Sequence, residues 1–205
     1  MNRIVKIRNL SKSFKGEKII KDFSLDIYSG EVVCLLGNNG SGKTTLINLL
    51  TGMFTPENNE GDVLIKLDDS LTKFASLKES TFNFRKYVRL CQQNDFLFDE
   101  LSCIEHLELV CKLRGINKRQ EIDRVISEKI EEVNLKKDKN KRVKQISPGS
   151  KRKLSIAMSL IGDAKFIILD EPTSNLDLKS REQIWLLIKK IASNKDQDRA
   201  ILVST

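Results

Sequence analysis

A strand, a glycine-rich loop and a helix are predicted one after another near the start of the chain. Residues 31–36 are mostly apolar and predict a buried strand, and residues 45–50 predict the first turns of a helix. The loop between them, residues 37–44, reads Gly-Asn-Asn-Gly-Ser-Gly-Lys-Thr and meets all four fixed positions of the pattern G-x-x-x-x-G-K-S/T. This order of elements predicts an α/β fold with a parallel sheet.

The loop has the chemistry of a phosphate-binding site, or P-loop. Its glycines let the main chain fold closely around an anion, and the positive end of the following helix adds attraction. Lys43 would reach the β- and γ-phosphates of a nucleotide, and the Thr44 hydroxyl would hold Mg²⁺. An ordinary glycine-rich turn is the alternative interpretation. The predicted nucleotide-binding residues here are Gly37, Asn38, Asn39, Gly40, Ser41, Gly42, Lys43, Thr44 and Thr45.

An acidic pair follows a second apolar segment. Residues 166–169 read Phe-Ile-Ile-Leu, which predicts a central strand of a parallel sheet, and this segment ends in Asp170 and Glu171. Asp170 would hold Mg²⁺ beside the P-loop, and Glu171 would polarise the attacking water as a general base. A solvated strand end is the alternative for an acidic pair alone. The upstream P-loop favours the catalytic interpretation.

Composition narrows the classes of protein and of partner. Of the residues, 40% are hydrophobic, and no apolar run approaches the ~18 residues that cross a bilayer. The four cysteines form no C-x-x-C pair and there is one histidine, which disfavours a zinc site and favours a reduced, cytosolic protein. Cys34 lies in the first apolar segment and is expected to be a buried free thiol.

The net charge of +8 raises nucleic acid or an anionic lipid surface as partners. The basic residues are, however, interleaved with acids, and the one dense run, residues 136–144, lacks the aromatics that stack on bases. A solvated loop is therefore the favoured interpretation of this run, and a nucleic-acid partner is disfavoured.

Further elements follow from periodicity. Residues 4–8 and 23–27 alternate apolar and polar and predict antiparallel strands. Residues 63–65, 87–90 and 200–203 predict further strands, with no direction assigned. Helices are predicted over residues 102–114, 118–135, 147–161 and 180–192, with Ser147 as the N-cap of the third. Residues 68–84 are left unassigned. His106 is interpreted as a surface or packing residue.

The order of these motifs resembles the nucleotide-binding domain of ABC transporter ATPases over nearly the whole chain. Phe14 matches the family's adenine-stacking aromatic, and Gln93 matches its Mg²⁺-sensing glutamine. Residues 146–150, Ile-Ser-Pro-Gly-Ser, stand in place of the signature Leu-Ser-Gly-Gly-Gln, and residues 174–177 stand in place of the D-loop. The phrases at residues 97–101, 105–107 and 152–155 are most similar to the eukaryotic A subfamily, whose members are mostly lipid-linked exporters.

The resemblance implies a fold, ligands and partners. The fold would be a P-loop NTPase core with a parallel sheet, an antiparallel β subdomain and an inserted helical subdomain at about residues 96–160, within a single domain over residues 1–205. ATP and Mg²⁺ would be bound, with Thr44, Gln93 and Asp170 around the metal and with Glu171, Lys43 and Gln93 as catalytic residues. A second nucleotide-binding domain would pair head to tail, so that Ser147 and Gly149 contact the γ-phosphate held by the partner.

The D-loop residue Asp177 would also contact nucleotide, and the pair of domains would drive a transmembrane domain from the cytoplasmic face of a membrane. Three of these assignments have ordinary alternatives. Phe14 could pack in the core, Gln93 could be a polar loop residue, and Asp177 could cap the next helix.

Two departures from the family pattern affect the expected activity. Pro148 stands where the family has glycine, which predicts a weakened rather than an abolished signature, because proline is tolerated in the first turn of a helix. The family's switch histidine would follow Thr205, the last residue. We therefore expect a piece of a longer transporter, with a naturally short, impaired domain as the alternative. A non-hydrolysing ATP-dependent regulatory module and a soluble ATPase acting on ribosomes or nucleic acid are the competing functions.

Overall fold

The computed structural model describes residues 2–67, 73–162, 164–194 and 198–205. These residues divide into two compact units. The first unit comprises Met1–Leu90, Ala164–Asp170 and Ala192–Thr205, and the second comprises Cys91–Asp163 and Glu171–Ile191. The predicted helical subdomain at residues 96–160 falls within the second unit, and its boundaries stay a prediction.

The described strands and helices follow the predicted order closely. The strands are β1 (Arg3–Phe14), β2 (Glu17–Tyr28), β3 (Val32–Leu35), β4 (Asp62–Lys66), β5 (Phe74–Ser76), β6 (Val88–Cys91), β7 (Phe166–Leu169) and β8 (Ala200–Ser204). The helices are α1 (Lys43–Leu50), α2 (Thr81–Arg85), α3 (Cys103–Leu113), α4 (Arg119–Glu132), α5 (Pro148–Ser159) and α6 (Leu178–Ala192), with 3-10 turns at Glu57–Asn59 and Val143–Gln145. The unassigned segment contains β5 and the start of α2, and its residues 68–72 lie outside the described ranges.

Two four-stranded sheets are present among the described residues. The first has the order β2-β1-β4-β5, and its described pairs are antiparallel, as predicted for residues 4–8 and 23–27. The second has the order β3-β8-β7-β6, with β8 parallel to both β3 and β7. The predicted parallel α/β core and antiparallel β portion are both confirmed.

The first unit has an apolar core built from alternating strand positions and one helix face. Val5, Ile7 and Ile27 contribute from β1 and β2, and Phe84 and Phe166 are among its largest fully buried side chains. The helix α1 buries Leu46, Ile47, Leu49 and Leu50 in this core. Burial of this face fixes α1 directly after the glycine-rich loop.

The second unit is helical among the described residues. A reciprocal capping box between Ser102 and Glu105 starts α3, and α4 buries Ile122, Ile126 and Ile130 on one face. His106 is 1% exposed. Its Nε2 accepts the Phe98 N–H at 2.9 Å, and its Nδ1 lies 2.9 Å from the Ser102 carbonyl. The packing interpretation of this histidine is therefore confirmed.

The prediction of a buried Cys34 is wrong. Its side chain is exposed, and the following Leu36 is 72% exposed. The physical reason is the strand order, since β3 lies at one end of the β3-β8-β7-β6 sheet in the described part of the chain. None of the described helices is both long and apolar enough to cross a bilayer.

Candidate functional site

The glycine-rich loop has the backbone conformation that its sequence predicts. Gly40 and Gly42 have φ values of 82° and 93°, in the left-handed region that favours glycine. Gly42 is the N-cap of α1, and no side chain caps that end of the helix. A Cβ at Gly37 would collide with the Ser41 side chain. The loop thus brings main-chain N–H groups and the N-terminal end of α1 together in an arrangement suited to an anion.

Lys43 lies across this loop. Its Nζ donates hydrogen bonds to the main-chain oxygens of Gly37 and Asn38, the latter at 3.2 Å. The ammonium group is therefore held at the loop, where a phosphate would neutralise it. The exposed Thr44 follows in the first turn of α1, with Thr45 beside it in the chain.

Oxygen donors that suit Mg²⁺ occur in the same unit. Asp170 follows the last residue of β7, and its Oδ1 accepts a hydrogen bond from the Ser204 hydroxyl at the end of β8. The carboxylate of Asp170 and the hydroxyl of Thr44 are both hard oxygen ligands, which Mg²⁺ prefers. The donor set therefore fits this metal. The sequence analysis missed Ser204, although its place at the end of a predicted strand was an available signal.

Two predicted catalytic residues, both in the second unit, meet through their side chains. Nε2 of Gln93 donates a hydrogen bond to Oε2 of Glu171 at 2.7 Å, across 78 positions of sequence. Glu171 has a φ of 41°, in the left-handed region that residues other than glycine rarely adopt. Such strain persists only where neighbouring contacts fix it, and it is concentrated at functional sites.

The segment at residues 146–150 forms the start of α5. The Ser147 hydroxyl accepts the Ser150 N–H at 3.1 Å, so Ser147 is the N-cap as predicted, and Pro148 occupies the first turn. Ser147 also donates to the Ser150 hydroxyl at 3.1 Å, and that hydroxyl donates to Asp138 at 2.8 Å. Gly149 lies close to Ser180, since a Cβ at Gly149 would lie 2.6 Å from Oγ of Ser180.

Asp177 behaves as a helix cap in this structure, which was the alternative interpretation. Its Oδ1 accepts the Ser180 N–H at 2.9 Å and its Oδ2 accepts the Ser180 hydroxyl at 2.6 Å. These hydrogen bonds from Ser180 hold the pKa of the Asp177 carboxyl below its usual value.

Phe14 ends β1 on the surface of the first unit. It is 41% exposed, and its ring packs against the Phe54 ring in a T-shaped arrangement at a centroid distance of 5.6 Å. The Lys12 ammonium lies 5.8 Å from the ring centroid. The core-packing alternative is therefore wrong, because the ring lies at the surface of the first unit.

A family comparison covers most of the chain. The family profile described as "ABC transporter" matches residues 20–174. Among solved structures, cbiO1 from Clostridium perfringens, described as part of the ABC transporter complex cbiONQ, is similar with a TM-score of 0.84 and 25% identity, over 100% of this chain and 79% of that one. A structure described as an ATP binding subunit of an ABC transporter is similar with a TM-score of 0.78 and 25% identity, over 98% of this chain and 79% of that one.

Curated relatives are longer proteins of the A subfamily. The chain is 36% identical to the human "Phospholipid-transporting ATPase ABCA3" over 98% of this chain and 11% of the relative. It is 36% identical to the mouse "ABC-type organic anion transporter ABCA8B" over 98% of this chain and 12% of the relative. It is 39% identical to "ABC transporter A family member 8" of Dictyostelium discoideum over 92% of this chain and 22% of the relative.

Proposed function

The chain belongs to the ABC transporter family, and we propose that it binds MgATP and hydrolyses it as the ATPase domain of a transporter. The observation that carries this proposal is the glycine-rich loop, whose left-handed Gly42 opens α1 while Lys43 is held at the loop. The chain spans about a ninth of the length of its mammalian relatives. The activity and partners of a whole transporter are therefore part of the proposal.

Nucleotide binding would rest on the first unit. The main-chain N–H groups of residues 37–45 and the Lys43 ammonium bind the phosphates. Phe14 offers an exposed ring on which adenine stacks, which its 41% exposure supports. Thr44 and Asp170 are the residues of this unit that would hold Mg²⁺, which when bound neutralises charge on the phosphate oxygens.

Hydrolysis would rest on Glu171. Its carboxylate takes a proton from the attacking water, whose oxygen forms a bond to the γ-phosphorus while the bond to the β–γ bridging oxygen breaks, giving ADP and phosphate. The contact of 2.7 Å between Gln93 and Glu171 supports this role, because it orients the carboxylate. Asp177, Ser147 and Gly149 would contact nucleotide held by a second nucleotide-binding domain paired head to tail.

The identity of the transported substrate and the direction of its transport are also part of the proposal. The human relative is named for phospholipid transport and the mouse relative for organic anion transport. We favour export of a lipid, powered from the cytoplasmic face of the membrane through contact with a transmembrane domain. Phospholipids are amphiphilic and organic anions are charged, so transport assays on vesicles that carry each class would separate the two substrates.

A P-loop variant tests the proposed binding and turnover together. Lys43→Ala in the full-length protein removes the phosphate-binding ammonium, so ATP affinity should fall about tenfold to a hundredfold, and phosphate release should be lost. Lys189→Ala, which changes an exposed lysine on α6, is the matched control and should leave both values unchanged. Unchanged ATP affinity in Lys43→Ala would contradict the proposal.

A further inference from the structure

A buried arginine lies on the helix that the signature segment starts. Arg152 is on α5, and its side chain is only 4% exposed. A guanidinium keeps its charge throughout the accessible pH range, so its burial requires hydrogen-bond acceptors around it. The identity of those acceptors therefore shows what the residue holds in place.

The acceptors around Arg152 come from two separate segments of the second unit. On one side, Nη1 donates to the carbonyls of Gln92 and Gln93, the latter at 3.3 Å, and to Oδ1 of Asp95 at 3.0 Å. On the other side, Nε donates to the carbonyl of Pro172 at 3.0 Å. The Arg152 guanidinium thus binds main-chain carbonyls in both segments, one of which contains Gln93 and the other Glu171.

These contacts close a ring. The Gln93 and Glu171 side chains meet at 2.7 Å, the Gln93 carbonyl binds Arg152, and the residue after Glu171 binds Arg152 as well. Glu171 also has the unfavourable φ of 41°, which its surroundings must maintain. Without Arg152, the hydrogen bond between the Gln93 and Glu171 side chains would be the one part of this ring that still joins the two segments.

We propose that Arg152 is a positioning residue that sets the placement of Gln93 and Glu171 for hydrolysis by binding the main chain beside each of them. This inference rests on the proposed ATPase function. The same helix starts at Ser147, so α5 joins the signature segment to both residues. Lysine could not replace the arginine, because a single ammonium lacks the rigid fork that reaches both segments at once.

The test compares Arg152→Lys with Arg89→Lys in the full-length protein. Arg89 is a matched control, since it is buried to a similar extent, with 4% of the residue exposed against 3% for Arg152, and its Nη1 binds the carbonyls of Arg85, Lys86 and Val88. For Arg152→Lys we expect kcat to fall about a hundredfold, because displacement of catalytic groups by about 1 Å has that effect. The affinity for ATP should change less than about twofold, and the Mg²⁺ concentration for half-maximal rate should rise, since the family resemblance gives Gln93 a role in sensing Mg²⁺.

A measurement without nucleotide separates this inference from the proposed function. Hydrogen–deuterium exchange of peptides covering residues 91–96 and 171–176 should speed up in both segments in Arg152→Lys and in neither in Arg89→Lys. If the wild-type protein fails to hydrolyse ATP, the proposed function fails. Coupled loosening of the two segments would in that case still support the positioning contact, and unchanged exchange would overturn it.

Asp95→Asn provides a second route if Arg152→Lys does not fold. It keeps the shape of the side chain but removes the charged partner of Arg152, and we expect the same direction of change in kcat, Mg²⁺ dependence and exchange at smaller size. The inference is overturned if both variants lose only thermal stability while kcat per folded molecule stays at the wild-type value. It is equally overturned if Arg89→Lys lowers kcat as much as Arg152→Lys.

Discussion

Pro148 stands where related signatures have glycine, yet it suits its place in the helix. It lies in the first turn of α5, directly after the Ser147 cap, where a proline needs no hydrogen-bond acceptor and its fixed φ is helical. The resemblance assigns the γ-phosphate to its two neighbours, of which Ser147 caps α5 and Gly149 lies in the first turn. Relative to glycine, the proline removes one main-chain N–H group from this turn.

The effect of that missing donor can be measured with Pro148→Gly. We expect the ATPase rate to rise about twofold to tenfold, which corresponds to one recovered hydrogen bond. Folding stability should fall by about 0.4–1 kcal/mol, because glycine increases the conformational freedom of the unfolded chain. The rate is followed by phosphate release and the stability by urea unfolding. A rate that does not increase would show that the proline leaves signature function intact.

Residue-scale prediction from sequence succeeded where the chemistry is local. The N-cap Ser147 and the left-handed Gly42 follow from short-range rules about caps and loops. Cys34 was placed wrongly because its exposure depends on which strand lies beside β3, and that is decided by segments far along the chain. Arg152 was not singled out, since its acceptors are 20 to 60 positions away.

At the scale of elements, the start of α5 is tied to the loop before it. Asp138 accepts hydrogen bonds from Lys141 at 2.8 Å and from Ser150 at 2.8 Å, and Ser150 in turn contacts the cap Ser147. The hydrogen bond from Lys141 lowers the pKa of Asp138 below its ordinary value of 3.8. The hydrogen bond from Ser150 also lowers this pKa, and partial burial opposes both effects. The ionised form of Asp138 therefore stabilises the native state.

This linkage gives a pH-dependent prediction for Asp138→Asn. Because the native pKa is lowered, the stabilisation is present above pH 3.8 and is lost as the pH falls through the lower native value. We expect the variant to be less stable than wild type by about 1–2 kcal/mol at pH 7, with the deficit shrinking below pH 3.8. Urea unfolding of the variant and of wild type, at pH 7 and at a pH below 3.8, measures the difference in their free energies of unfolding.

Asp123→Asn is the control for that experiment. Asp123 also pairs with a basic side chain, Arg119, but both groups are more than half exposed. Exposed pairs contribute little to stability, so this variant should match wild type closely at both pH values. A deficit in Asp138→Asn that persists unchanged at acidic pH would show that the carboxylate charge is not the cause.

Elements were predictable because each carries its own periodicity and boundaries. The predicted helix at residues 147–161 became α5 (Pro148–Ser159), and the apolar run at residues 166–169 became β7 with all four residues buried. The long β1 and β2 extended well beyond the predicted segments, because strand pairing continues through irregular register that alternation alone does not reveal. The segment at residues 68–84 carried too few apolar residues for an assignment.

At the scale of the whole molecule, the sequence predicted the α/β class and the presence of both a parallel and an antiparallel sheet. It could not predict that Gln93 and Glu171 touch, because they are 78 positions apart and no local pattern links them. The family comparison over residues 20–174 agrees with the predicted membership. The remaining whole-molecule question is whether these groups turn ATP over or only bind it.

A single-turnover experiment on the full-length protein answers that question most directly, by following bound nucleotide and released phosphate in the same sample. Wild type should release phosphate, while Glu171→Gln should bind ATP within about twofold of wild type but hydrolyse it at least about a hundredfold more slowly, since it lacks the general base. Glu182→Gln, an exposed change on α6, is the control and should behave as wild type. Hydrolysis at the wild-type rate in Glu171→Gln, or ATP binding by wild type without phosphate release, would contradict the proposed ATPase.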